Sequence, residues 1–107
     1  MTRKDQDFLE TIFAPATAAG RAGVSIIRIS GAGTKTALQE MAGIVPPARQ
    51  AVLRILRDKD GVPIDQALCL YFGGPDSFTG EDVAEFHIHG SPAVLSACLD
   101  RLSSFSG

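Results

Sequence analysis

"VSIIRISGAGTKT", residues 24–36, reads as a buried strand, a glycine turn and the start of a helix. That order of parts builds phosphate-binding loops, so fold and function both turn on whether this one holds a nucleotide. A P-loop needs G-x-x-x-x-G-K-[ST], whose backbone N–H groups and Lys surround the phosphates. Lys35 and Thr36 are present, but Thr34 stands where the Gly before the Lys is required. Gly31 and Gly33 supply the first two glycines of a dinucleotide fingerprint, and Thr36 occupies the place of the third. The stretch therefore reads as a glycine turn feeding a short N-capped helix. Its odd residue is Arg28, inside an otherwise apolar strand.

Working outward, "DFLETIFAPAT" (7–17) predicts a strand around Leu9–Ala14 closed by Pro15, and Gly20 and Gly23 flank Arg21 in a turn. The helix over 34–42 carries Ala37, Leu38, Met41 and Ala42 on one stripe and stops at Gly43. "AVLRILRD" (51–58) alternates as a strand, "DKDG" makes a turn, and "IDQALCLYF" (64–72) is the most apolar strand, expected to be central. After the polar loop "GGPDSFTGED" (73–82), "VAEFHIH" (83–89) forms a further strand. A last helix opens with Ser91 as N-cap and Pro92 at its first position, and buries Val94, Leu95, Cys98, Leu99 and Leu102. The order β-β-α-β-β-β-α does not alternate strictly. It predicts an α+β domain, a mixed sheet with helices packed on it.

With 107 residues the chain is one domain, 1–107, able to bury about 60–70% of the surface it exposes when unfolded. Its 45% apolar and 21% charged content is that of a globular protein. Ten basic and twelve acidic residues are spread evenly, for a net charge of −2. The electrostatic footprint of a nucleic-acid binder is therefore missing, and contact with RNA would need a local patch or another domain. Cys69 and Cys98 stand in no CxxC spacing and read as buried, reduced thiols. No apolar run approaches a membrane span, and "MTRKDQDF" has no hydrophobic segment behind it. A cytoplasmic protein is expected.

Two constellations carry chemistry. His87 and His89, two apart on a strand, project to one face and could share a metal, although spacing supplies no further ligands. On the same strand Glu85 also faces that way, while Ala84, Phe86 and Ile88 face the core. Arg28 shares a face with Val24, Ile26 and Ser30. Burying its head without a partner would cost several kcal/mol, so it requires a carboxylate or an anionic ligand. A structural Arg28–Glu85 pair and a ligand site both satisfy that demand.

"ATAAGRAGVSIIRISG" (16–31) and "PDSFTGEDVAEFHIHGSPAVL" (75–95), joined by "IDQALCLYF", together resemble the N-terminal domain of the MnmE/TrmE family of tRNA-modification GTPases. Ala18 and Ala19 stand where the family has prolines, Ala22 replaces a Gly, and Ile88 and Ser91 occupy glycine positions. The resemblance implies a fold similar to folate-binding aminomethyltransferase domains, homodimerisation, and binding of 5-formyl- or 5,10-methylene-tetrahydrofolate. It assigns the folate contacts to Arg28 and Glu85, with a further Lys beyond residue 107. It implies a parent with a helical domain and a GTPase domain using GTP, Mg²⁺ and K⁺. That parent acts with an FAD-dependent partner of the MnmG/GidA type on C5 of the wobble uridine of tRNA. No residue of the chain itself reads as a nucleophile or a hydrolytic base.

Overall fold

Strand alternation and two amphipathic helices settle the architecture. The computed structural model describes residues 11–15, 23–74 and 80–106. Within them the chain runs β1 (Ile12–Pro15), β2 (Val24–Ser30), α1 (Thr34–Ala42), β3 (Val52–Arg57), β4 (Pro63–Phe72), β5 (Val83–His89), α2 (Pro92–Ser103) and a 3₁₀ turn (Ser104–Ser106). This is the expected element order. The expected strand start at Leu9 and the turn around Arg21 lie outside the described residues.

The five strands form one sheet in the order β1-β2-β5-β4-β3. Every pairing is antiparallel, so the α+β class holds while the expected mixed sheet does not. The reason is topological: α1 carries the chain from β2 to the far edge of the sheet, so β2 and β3 never become the parallel neighbours of a βαβ unit. The middle strand is β5, not β4, which sits between β5 and the edge strand β3. Apolar content could not order these strands. A tight hairpin, held by Asp58 Oδ1 accepting from the N–H groups of Asp60 and Val62, ties β4 to β3.

Register divides the sheet into two faces. One row runs Ile27, Phe86, Cys69, Val52 across four strands and meets the helices. Against it pack Ala37, Leu38 and Met41 of α1, Cys98 and Leu102 of α2, and Phe105 beyond it, all buried. Among the described residues, Phe86 is the largest wholly removed from water. Both cysteines are free and buried, as expected. α1 ends at Gly43, whose φ of +81° lets its N–H reach the carbonyl of Gln39. Ser91 stands at the N-cap of α2 with Pro92 following, but its hydroxyl caps nothing; the backbone carbonyl of Ser91 accepts from Leu95.

The next row runs Ile26, His87, Leu68, Leu53 on the opposite face, and beside it Arg28, Glu85, Leu70. Among the described residues no helix covers this face, and Val24, Leu53, Ile55 and Leu68 stand exposed on it. Among the described residues, no helix is long and apolar enough to cross a membrane.

Candidate functional site

The glycine turn after β2 has its amides engaged within the protein. Gly31 N–H donates to the carbonyl of Asp82 at 3.0 Å, Gly33 N–H to Thr11 Oγ1 at 2.7 Å, and Thr34 N–H to the carbonyl of Gly31 at 3.2 Å. Thr34 is itself buried, its hydroxyl donating to the Asp82 carbonyl at 3.0 Å. Lys35 points back over the ring of Tyr71, 5.7 Å from its centre. A phosphate would have to displace each of these bonds. The glycine turn feeds the helix as its residues predicted, but Gly33 stands at the N-cap and no side chain caps the helix.

The polar cluster lies instead on the open face of the sheet, where β2 and β5 run side by side with Arg28 directly opposite Glu85. Glu85 is only 7% exposed, an unusual place for a carboxylate. It is held by three hydrogen bonds. Arg28 Nε and Nη2 both donate to Oε2, at 3.0 and 2.6 Å, and His87 Nε2 lies 2.9 Å from Oε1. Burial by itself would push the Glu85 carboxyl up. The bonds from His87 and Arg28, with the charge of Arg28, outweigh it and hold the group below its ordinary value. Arg28 keeps 40% of its side chain in water.

His87 and His89 project from the same face but take different partners. His89, at the strand end, turns to Asp65 of β4: its ring Nδ1 lies 2.8 Å from Oδ1 and its backbone N–H donates to Oδ2 at 2.8 Å. Among the described residues no group of three His, Cys, Asp or Glu converges as a metal would require. Asp65 and Thr11 were not singled out from sequence. Asp65 lies 24 residues from His89 and Thr11 lies 22 from Gly33, too far apart for any local spacing to signal them.

Chemically, the cluster offers a buried anion, an adaptable cation and an imidazole beside an apolar surface. Ile26 and Leu68 flank His87 from the two neighbouring strands. Next to it Val24, Leu53, Gln66, Leu68, His87 and His89 line a shallow depression of about 180 Å³. The two thiols take no part: burial raises Cys69 to about 11 and Cys98 to about 12, so neither supplies a thiolate near neutrality. The cluster can accept hydrogen bonds at Glu85 and donate them from Arg28 and His87.

Comparison with known proteins gives this site its context. A family model described as "GTP-binding protein TrmE N-terminus" matches residues 11–106, nearly the whole chain. The chain belongs to the TrmE N-terminal family. The tRNA modification GTPase MnmE of Phenylobacterium zucineum is 55% identical over 94 residues, covering 88% of this chain and 21% of that protein. The MnmE of Roseobacter denitrificans is 52% identical over 95 residues, with 89% and 22% covered, and that of Maricaulis maris 54% over 93, with 86% and 21%. This TrmE-type chain thus spans about a fifth of the length of the curated relatives it matches. The match to the TrmE model takes in all of β2 and β5, and with them Arg28, Glu85 and His87.

Proposed function

We propose that this chain is the tetrahydrofolate-binding and dimerisation module of a tRNA-modification GTPase. The observation that carries the reading is Glu85, a nearly buried and ionised carboxylate held on an uncovered sheet face. A carboxylate accepts two parallel hydrogen bonds from a ring N–H and an exocyclic amino group, the donor pair of a reduced pterin. Arg28, with its partly hydrated head, suits the carbonyl or carboxylate side of the same ligand. Ile26 and Leu68 offer apolar surface to the ring. The residues present therefore fit the group, which would be bound as a one-carbon carrier such as 5-formyl- or 5,10-methylene-tetrahydrofolate.

In the parent protein, GTP hydrolysis takes place in a separate domain with its own Mg²⁺ and K⁺, and this module presents the carrier. The whole complex, with an FAD-dependent partner, modifies C5 of the wobble uridine of tRNA. That relatives of this chain are tRNA modification GTPases supports that setting. A second copy of the chain covering part of the open face is consistent with the exposed Val24, Leu53, Ile55 and Leu68.

A second reading rests on one observation: Arg28 and Glu85 are paired directly across β2 and β5, with Nη2 2.6 Å from Oε2. On that reading the pair is structural and the chain is an interaction domain. Isothermal titration of the full-length protein with 5-formyltetrahydrofolate separates the two. Binding that falls about tenfold or more in Glu85→Ala is expected, because hydrogen bonds to charged groups contribute roughly 1.5–3 kcal/mol. No binding, or an affinity unchanged by Glu85→Ala, refutes the folate reading.

A further inference from the structure

A carboxylate has about four acceptor positions, two on each oxygen. In this protein Arg28 fills both positions of Oε2 with Nε–H and Nη2–H, and His87 takes one of Oε1. A guanidinium usually grips a carboxylate fork to fork, one N–H on each oxygen. Here it does not: His87 holds the second oxygen, and the arginine fork closes on one oxygen alone. Only one acceptor position of Glu85, on Oε1, is left over by its partners among the described residues.

The two partners differ in length and exposure. Arg28 is a long side chain with 40% of its surface in water, whereas His87 keeps 26% and is carried by the middle strand of the sheet. Ile26 of β2 and Leu68 of β4 stand directly beside it on either side. Among the described residues of β2, β4 and β5, the titratable and charged groups on its face are Arg28 on β2 and Glu85 and His89 on its own strand, while β4 presents Gln66, Leu68 and Leu70 there. Fixing an imidazole costs less side-chain entropy than fixing an arginine.

We infer that His87 is the positioning residue of this site. By donating to Oε1 of Glu85 it sets the orientation of the carboxylate and leaves Arg28 as the member that yields when a ligand arrives. A ligand with two adjacent N–H donors then takes the remaining position on Oε1 and one position on Oε2 that Arg28 releases. The inference rests on the folate reading of the same site and adds which residue orients it. It predicts a preference for rings carrying an N–H beside an amino group, such as a 2-amino-4-oxo-pyrimidine, over rings with a single donor.

The test is titration of the full-length protein with 5-formyltetrahydrofolate in three forms: unchanged, His87→Leu, and His87→Gln, which keeps an N–H donor. His87→Leu is expected to bind roughly ten- to a hundredfold more weakly, the loss of one hydrogen bond to a charged acceptor. His87→Gln is expected to recover affinity to within about fivefold of the unchanged protein. That rescue tracks the donor, not packing, and so separates positioning from a merely structural role. Should His87→Leu fail to fold, as judged by circular dichroism, His87→Phe replaces it in the comparison. Binding within twofold of the unchanged protein in the donor-less variant, or no recovery in His87→Gln, overturns the positioning role while the folate reading stands. Absence of binding by the unchanged protein overturns both.

Discussion

Breaking the Arg28–Glu85–His87 cluster from one side distinguishes a ligand site from a structural brace. Glu85→Leu removes the shared acceptor and leaves the Arg28 and His87 donors facing each other across an apolar gap. For a fully buried pair, removing one partner costs about 3–5 kcal/mol. Arg28 is 40% exposed and His87 26% exposed, so water recovers part of that loss, and the expected cost is roughly 2 kcal/mol. For a domain of this length that corresponds to about 8 °C in Tm. The double variant Arg28→Leu/Glu85→Leu has a different expectation. Both new side chains join Ile26, Leu68 and Leu70 on the same face, so replacing the pair by apolar groups is close to neutral, within about 1 kcal/mol of the unchanged chain. Urea unfolding of the chain followed by far-ultraviolet circular dichroism measures both. A stability recovered in the double variant means the cluster is retained for what it binds, since hydrophobic residues hold the sheet equally well. Glu85→Leu within about 0.5 kcal/mol of the unchanged chain, or a double variant no more stable than the single, refutes this reasoning.

Two further outcomes follow from the same structure. Glu85 titrates below its ordinary value of 4.5 when folded, so its contribution is fully present above pH 4.5 and is lost as pH falls from there through the lowered folded value. Acid unfolding curves should show that loss, and Glu85→Gln should flatten it; an unchanged slope in that window contradicts the assignment. Gly43→Ala places a Cβ at φ +81°, 3.3 Å from Arg54 Nη2, and should lower stability by about 1–2 kcal/mol in thermal unfolding. A loss below about 0.3 kcal/mol would show that the helix end relaxes without its left-handed cap.

Local chemistry made much of the fold legible. Val24–Ser30, Thr34–Ala42 and Val83–His89 appear at the bounds read from β-branched runs, the 3.6-residue stripe and period-two alternation. Gly43 ended its helix as glycine without a Cβ can, in the left-handed region. Arg28 demanded a carboxylate or an anionic ligand because a charge in an apolar strand cannot go unpaired, and Glu85 stands within hydrogen-bond reach of it. Strand order was not legible. IDQALCLYF is the most apolar strand and still lies off-centre, because a strand's composition reports how much it is buried, not which neighbour buries it.

What the sequence determined by itself are the properties set within a few residues: element types, their ends, which side chains share a face, and the departure of residues 31–36 from the P-loop and dinucleotide consensus. The face rule alone placed Glu85 and His87 away from the core, while Arg28 stood out as one charge in a strand apolar on both faces. Only the tertiary structure decided that all strands run antiparallel, that β5 lies between β2 and β4, and that Arg28 stands opposite Glu85 in register. It also decided that both Arg28 donors share one oxygen, that His87 holds the other, and that His89 goes to Asp65 instead of joining them. The Arg28–Glu85 and His89–Asp65 contacts join residues 57 and 24 positions apart, fixed by loop closure and by the burial of one common core. No local spacing can express them.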